Sequence, residues 1–297
     1  MGEFPVCAIR SATLSTPDID AAVAFYTDVW GLSEVPAQGP GRYLRATGAD
    51  HHVLALLPGP APKLLATTFR AASAEALEAI AAGAAAAGCT LLSPPGPASD
   101  DPAGGRALAL RTPEGATLRV VHGDRLHPDA GERRDLPSRL SHVNLNTRDV
   151  YALAATFSAA LGMALTDRSK MMAFLRCNAD HHAVVVAEAP VEGLNHLAFM
   201  MPGWEDVMRA SGRMIDHGHP IGWGVGRHGP GDNVFAYFVG PDGVVIEYTA
   251  EVLQVDGDYR VGSPADWRWP PGRTDQWGIA PPKSAATRDA QLAIPHA

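Results

Sequence analysis

Three residues in the second half of the chain have the side chains of a metal site: His142, His196 and Glu247. Two imidazoles and one carboxylate are the ligand set typical of non-haem Fe(II), which keeps coordination positions free for other molecules. Zinc and nickel accept the same ligand types. The three residues therefore predict a metal site without deciding which metal it binds.

An internal repeat distinguishes these positions from ordinary strand residues. The sequence Asp-His-His occurs at residues 50–52 and again at residues 180–182, and similar segments flank it in both halves. Aligning the halves places Ser11, Ala66 and Arg119 at the positions equivalent to the two histidines and the glutamate. Because the first half has other residues there, the repeated fold does not require His, His and Glu. This difference favours metal binding by the second half.

The second half carries further titratable residues that fit the same site. His228 lies in the glycine-rich loop 226–233, Tyr237 lies in the strand that follows, and His182 belongs to the repeated Asp-His-His motif. The residues alone leave another interpretation open for each. His228 fits a solvent-exposed loop, Tyr237 fits a core, and His182 fits a structural role because the first half repeats its motif.

Apolar periodicity and turn residues predict four βαβββ-like modules that position these side chains. Two helices, at residues 21–30 and 151–161, are predicted from Ala-rich segments without internal proline, each ended by a glycine. A second pair of modules contains an Ala-rich helix after residue 70 and a helix near residues 204–216. The predicted fold class is α+β, with two domains that each consist of two paired modules.

These modules divide the chain into four parts. We predict a first domain without metal at residues 1–122, a linker at residues 123–138 and a metal-binding catalytic domain at residues 139–262. The repeat is absent from residues 263–297, a tail rich in Pro, Arg and Trp. We expect an extended arm packed on its own domain or on a neighbouring subunit, with a lid over the metal site as the alternative.

The composition excludes several classes of protein. The chain has 297 residues, of which 46% are hydrophobic and 19% charged, so most of it is not disordered. A net charge of −8 argues against nucleic acid or an anionic membrane surface as the main partner, and no segment is apolar enough to span a membrane. The first five residues lack the pattern of a secretion signal, and the three cysteines lack CxxC spacing, so we expect a cytoplasmic protein without a secretion signal.

The motifs that carry these residues resemble those of a known family. They are Leu140-Ser-His142, Phe174-Leu-Arg-Cys-Asn-Ala-Asp-His-His182, Leu194-Asn-His196, Gly226-Arg-His228 with Asn233 and Tyr237, and Pro241-Asp-Gly-Val-Val-Ile-Glu247-Tyr. From about residue 9 to residue 251 the sequence resembles the type I extradiol ring-cleaving dioxygenases. These enzymes belong to the vicinal oxygen chelate superfamily, which also includes glyoxalases and bleomycin resistance proteins.

The resemblance implies a function and assigns roles. The implied Fe(II) ligands, which Mn(II) also accepts, are His142, His196 and Glu247. The implied acid–base residues are His182, His228 and Tyr237. The implied activity is extradiol (meta) cleavage of a catechol-type diol by O2, with both oxygen atoms inserted, in the degradation of aromatic compounds. The partners are then a small aromatic diol and O2, and the family suggests a homo-oligomer.

Two other functions fit parts of the sequence. A metal-dependent isomerase or lyase of glyoxalase type would belong to the same superfamily, but that chemistry usually uses a second glutamate among the ligands. A non-enzymatic small-molecule binder needs no metal, so the His-His-Glu set argues against it. The sequence does not identify the diol, whose pocket we expect to be shaped by Met172, Phe174, Val184, Phe199 and Trp223.

Overall fold

The computed structural model describes residues 4–297, and its two halves are each built on one mixed β-sheet. The strands of the first half are β1 (Val6–Thr16), β2 (Ser33–Val35), β3 (Arg42–Arg45), β4 (Leu54–Pro58), β5 (Lys63–Ala71), β6 (Thr90–Pro97), β7 (Arg106–Arg111) and β8 (Thr117–His122). Those of the second half are β9 (Arg139–Thr147), β10 (Ala164–Arg168), β11 (Met172–Arg176), β12 (Val184–Glu188), β13 (Gly193–Met200), β14 (Trp223–Arg227), β15 (Val234–Val239), β16 (Val245–Ala250) and β17 (Ile294–Pro295). The helices are α1 (Ile19–Ala24), α2 (Ala74–Gly83), α3 (Val150–Leu161), α4 (Trp204–Asp216) and α5 (Ala285–Ala290), with a π-helical turn at Phe25–Trp30 and a 3-10 turn at Pro241–Gly243.

The two sheets have the same strand order, which confirms the predicted duplication. The orders are β2-β3-β4-β1-β5-β8-β7-β6 and β10-β11-β12-β9-β13-β16-β15-β14. The register also agrees between the two sheets. Ser11 of β1 and His142 of β9 pair with equivalent residues of β5 and β13. On the other side of β5 and β13, Arg119 of β8 and Glu247 of β16 pair with those same residues. The α+β fold of paired βαβββ modules is therefore confirmed.

The helices show how local sequence sets their ends. α3 begins at Asp149, whose side chain accepts two backbone N–H bonds, and ends at Gly162 in the left-handed conformation (φ 66°). The single helix predicted at residues 21–30 is instead α1 followed by the π-helical turn. Phe25, Tyr26 and Trp30 of that turn are buried in the core. In residues 4–297, none of the helices combines the length and the apolar character needed to cross a bilayer.

One hydrophobic core contains residues of both halves. The Trp30 ring of the first half stacks on the Tyr248 ring of the second at a centroid distance of 3.6 Å. The Tyr248 hydroxyl also donates a hydrogen bond to the Trp30 carbonyl oxygen at 2.8 Å. These contacts support the second sheet, which carries the candidate metal ligands, against the first half.

The tail has more regular structure than its composition predicts. Residues 123–138 contain no helix or strand, but the tail contains α5 and β17. The Ser284 side chain accepts a hydrogen bond from the Thr287 backbone N–H and so starts α5. In β17, Ile294 pairs with Leu194 of β13. The prediction of an extended arm is therefore wrong for these segments. A helix cap within the tail starts α5, and β17 pairs with the free edge at the start of β13.

Candidate metal centre

The sheet order of the second half brings the predicted ligands together. β13 lies between β9 and β16 in the sheet, and these three strands contribute His196, His142 and Glu247. The histidine Nε2 atoms are 3.3 Å apart, and they lie 3.3 Å (His142) and 3.1 Å (His196) from Glu247 Oε2. One donor atom from each residue lies within 4.8 Å of the other two. All three side chains are buried, so the cluster is an internal site and not a surface group.

The donor atoms fit a divalent cation. Asn195 Oδ1 accepts a hydrogen bond from His196 Nδ1 at 2.8 Å, which directs the lone pair of His196 Nε2 toward the cluster. Burial lowers the pKa of His196 to about 4, so this ring is neutral near pH 7. Neither oxygen of Glu247 has a hydrogen-bond donor of good geometry in the described part of the chain. A nitrogen lone pair and a buried carboxylate this close repel each other without a cation between them, and the ligand types suit Fe(II) or Mn(II).

Three side-chain amides outside the predicted set hold His196 in place. Asn195 Nδ2 donates to Asn146 Oδ1 at 2.8 Å, and Asn146 Nδ2 donates to the Gln291 carbonyl oxygen at 2.5 Å. Gln291 Nε2 donates to Asn195 Oδ1 at 2.6 Å and closes the ring of hydrogen bonds. Such a network fixes the orientation and tautomer of a ligand histidine. Sequence reasoning missed these residues, although the position of Asn195 next to His196 was an available signal.

His182 lies beside the ligand cluster, with its ring centroid 4.5 Å from that of His142. Behind it, Asp167 Oδ2 accepts a hydrogen bond from His181 Nε2 at 2.8 Å, and the Nδ1 atoms of His181 and His182 are 3.0 Å apart. The contact between the two Nδ1 atoms occupies that side of the His182 ring, and the described hydrogen bonds of His182 leave its Nε2 free. Burial lowers the pKa of His182 well below its usual value, so the ring is neutral. The two histidines of the motif thus differ: His181 is a structural link, and His182 lines the cavity described below.

His228 and Tyr237 form a hydrogen-bonded pair next to Glu247. His228 Nε2 lies 3.0 Å from the Tyr237 hydroxyl and 3.8 Å from Glu247 Oε1. Tyr237 is placed by register, since it pairs with Glu247 across β15 and β16. Burial lowers the pKa of His228 to about 3 and raises that of Tyr237 well above its usual value. Both side chains are therefore neutral near pH 7, and His228 is not a solvent-exposed loop residue.

A cavity of about 340 Å³ connects these groups. Of the six predicted site residues, Glu247 is fully buried and the other five line the cavity. The expected pocket residues that line it are Met172, Phe174 and Trp223. The prediction is wrong for Val184 and Phe199, which pack in the hydrophobic core. Side chains alternate between the two faces of a strand, so in β12 it is Val185 that lines the cavity.

The tail forms one wall of this cavity. Its lining side chains are Trp267, Trp269, Thr274, Lys283 and Gln291. A Cβ atom on Gly229 would lie 2.6 Å from the Trp269 ring, so glycine is needed for this contact. Gln276 Nε2 donates to the carbonyl oxygen of His228 at 2.5 Å and ties the tail to the loop that carries this histidine. The tail therefore packs on its own domain and also borders the candidate site.

In the first half, the region equivalent to the candidate metal site contains arginines whose charges are balanced by ion pairs. The fully buried Arg10 contacts Asp101 and His52 there. Arg119, at the position equivalent to Glu247, forms an ion pair with Asp100 at 2.5 Å. Within residues 4–297, the His-His-Glu group of the second half is the one cluster whose donor atoms converge as metal ligands do.

The fold and the site define a class of protein, and comparison with known families identifies it. The family model of the glyoxalase/bleomycin resistance protein/dioxygenase superfamily matches residues 8–120 and 139–248. The chain belongs to this superfamily, as its motifs predicted. The two matched segments correspond to the two sheets.

Individual relatives include a metapyrocatechase, a dihydroxybiphenyl dioxygenase and a protein described as a glyoxalase. The chain is 36% identical to metapyrocatechase 2 of Cupriavidus necator over 143 residues, which is 47% of this chain and 42% of that protein. It is 26% identical to the manganese-dependent 2,3-dihydroxybiphenyl 1,2-dioxygenase of Geobacillus genomosp. 3 over 290 residues, covering 86% of this chain and 88% of the relative. Among solved structures, the Mn(II)-bound glyoxalase from Novosphingobium aromaticivorans matches with a TM-score of 0.88 and 33% identity, over 99% of this chain and 95% of that one. The chain thus spans less than half of the first relative but nearly all of the other two.

Proposed function

We propose that this protein cleaves a catechol-type aromatic diol with O2 by extradiol chemistry, with Fe(II) bound by His142, His196 and Glu247. Mn(II) is the alternative metal, because the same ligands accept it and two of the relatives carry manganese in their names. The observation that carries the proposal is that three ligand atoms converge within 4.8 Å of one another at one cavity. Three further acid–base side chains line the same cavity. The names of the metapyrocatechase and dihydroxybiphenyl dioxygenase relatives support the same reaction.

When bound, the metal would supply a cation that lowers the pKa of the diol hydroxyls and leaves open positions for two reactants. The protein side chains then manage protons. The neutral His182 ring lines the cavity, and the described hydrogen bonds leave its Nε2 free, so the ring is suited to accept a proton from a diol hydroxyl and to return it later. The His228–Tyr237 pair is suited to hydrogen-bond a diol oxygen, because both groups are neutral and joined by a 3.0 Å contact.

The reaction is tested by anaerobic reconstitution with Fe(II) or Mn(II), followed by oxygen uptake and visible absorbance with a panel of substituted catechols. We expect oxygen uptake together with a new yellow product for at least one diol. The metal that gives the higher turnover per bound equivalent identifies the working cofactor. Bound metal without oxygen uptake for any diol would refute the proposal.

A second candidate is a redox-neutral isomerase or lyase, which the likeness to the Mn(II)-bound glyoxalase favours. Against it, no aspartate or glutamate other than Glu247 joins the converging cluster in residues 4–297. Oxygen consumption separates the two candidates, because the isomerase reaction uses none.

We further infer a cytoplasmic homo-oligomer. Trp204, Met208 and Ile279 are 52%, 48% and 73% exposed and border one shallow depression, which supports contact with a second copy of the chain. Light scattering of the wild type and of Ile279→Glu tests this; a monomeric wild type would refute it.

A further inference from the structure

Lys283 is a partly buried cation in the tail wall of the cavity. Its Nζ lies 4.5 Å from the centroid of the Trp223 ring and 5.8 Å from that of Tyr237. The Tyr237 ring in turn lies 5.0 Å from the ring of His196, a candidate metal ligand. The ammonium group is therefore separated from the candidate metal centre by a single aromatic side chain.

The protein does not provide this ammonium group with an anionic partner. In the part of the chain that the structure describes, no carboxylate oxygen lies within 4 Å of Lys283 Nζ, whose polar contact is the 2.7 Å hydrogen bond to Gln291 Oε1. None of the side chains that line the cavity is an aspartate or a glutamate, and the exposed Lys170 adds a second positive charge at its edge. Lys283 is partly buried, and the carboxylate that acts on it, Glu247, does so from beyond contact distance and belongs to the candidate metal centre. A partly buried cation without a contacting counter-ion is costly to maintain, so its retention in a ligand cavity points to a negatively charged ligand.

The geometry leaves donors free for such a ligand. An ammonium group has three N–H donors, and Gln291 uses one of them. Burial lowers the pKa of Lys283 to about 8, which leaves the group mostly protonated at pH 7. Trp223 and Tyr237 stack on each other at a centroid distance of 5.1 Å and form an aromatic wall under the ammonium group.

We propose that Lys283 is a specificity-determining residue that binds a carboxylate substituent of the substrate and so selects carboxylated catechols over uncharged ones. This inference rests on the proposed diol cleavage, and it goes beyond it by assigning the charge of the substrate. The aromatic ring of the diol would lie near the metal and against the aromatic wall, with its carboxylate directed to the tail.

The test compares the wild type with Lys283→Met, which keeps the length of the side chain but removes its charge, and with Lys283→Arg, which keeps the charge. Lys63→Met is the matched control, because Lys63 is exposed and lies in the first half. Anaerobic calorimetry on the Mn(II)-loaded proteins measures the Kd of 2,3-dihydroxybenzoate, 3,4-dihydroxybenzoate and 4-methylcatechol without turnover. Oxygen uptake with the same diols is measured separately.

We expect Lys283→Met to weaken binding of at least one carboxylated diol by about 10- to 100-fold, the range of a hydrogen bond to a charged group. Its Kd for 4-methylcatechol should change by less than about threefold, Lys283→Arg should recover most of the loss, and Lys63→Met should match the wild type. Equal weakening of charged and uncharged diols, or no preference of the wild type for carboxylated diols, would overturn the inference while leaving diol cleavage intact. Failure of every diol to bind and to consume oxygen would instead overturn the proposed function and the inference together.

Discussion

The hydrogen bond from His196 to Asn195 gives a quantitative prediction for metal affinity. In Asn195→Leu the side chain keeps its approximate shape but loses the oxygen that accepts from His196 Nδ1 at 2.8 Å. Metal binding through Nε2 fixes the proton of His196 on Nδ1, whereas in the metal-free variant the ring can change its tautomer. The unpaired buried donor therefore destabilises mainly the metal-bound state, by about 1–3 kcal/mol, which corresponds to a factor of about 5–150 in Kd. Loss of the partner of a ligand histidine weakens metal binding by about 10- to 100-fold in general. We therefore expect the Kd for Fe(II) or Mn(II) to rise about 10- to 100-fold.

Two variants separate this effect from general damage to the fold. Asn195→Asp keeps an oxygen acceptor for His196 Nδ1, so its metal affinity should stay closer to that of the wild type than that of Asn195→Leu. Gln291→Leu removes a donor to Asn195 and leaves the His196 contact in place, so we expect a smaller loss, below about tenfold. Gln254→Leu is the control, because the Gln254 side chain donates to Asp180 in an exposed contact.

The assay is competition for the metal against a chromophoric chelator, with thermal unfolding of the metal-free proteins as the test of folding. The order of Kd values should be wild type and Gln254→Leu lowest, then Gln291→Leu, then Asn195→Leu. A folded Asn195→Leu protein that binds metal within about twofold of the wild type would refute the argument, since the expected loss is at least about tenfold.

Four further outcomes follow from the site. His182→Ala should keep the metal but lower kcat about 10²–10⁴-fold, the contribution of a positioned acid–base group, and unchanged turnover at saturating diol would remove His182 from the mechanism. Elemental analysis should give one metal per chain, and two equivalents would contradict its assignment to the second half. Deleting residues 263–297 should raise the KM for the diol, because the tail lines the cavity; an unchanged KM with an altered oligomer size would assign the tail to subunit contacts instead. The preference for carboxylated diols should be present below pH 8 and should fall as pH rises through about 8, because only the protonated ammonium group of Lys283 binds the anion. The titratable neighbours of this group are Glu247, Arg288 and Tyr237, and a preference that stays constant above pH 8 would contradict the prediction.

The residues of the candidate metal site could be singled out from sequence because the two halves of the chain can be compared with each other. The first half repeats the strands but has Ser11 and Arg119 where the second half has His142 and Glu247, so the chemical difference is visible without coordinates. The orientation of pocket residues was harder to predict, as Val184 shows, because an error of one residue in a strand reverses the face.

The contributions of the tail could not be predicted. Lys283 and Gln291 lie outside the repeat, so no equivalent position in the first half draws attention to them. Their roles depend on the packing of the tail around β13 and β15, which composition does not specify. The same holds for Asp167, whose link to His181 depends on a buried contact between separate elements.

The ring of amides around His196 sets an order of events during synthesis. Asn146 and Gln291 are 145 residues apart, so at about 5–20 residues per second the ribosome needs about 7–30 s to add the second partner after the first. Once Glu247 has been added, His142, His196 and Glu247 are all in the chain, but for about 2–9 s more, until residue 291 is added, the hydrogen bonds that orient His196 are incomplete. Metal that binds to the nascent chain would therefore meet a looser site and exchange more readily, and lasting retention of the metal begins only once residue 291 has left the ribosome and docked.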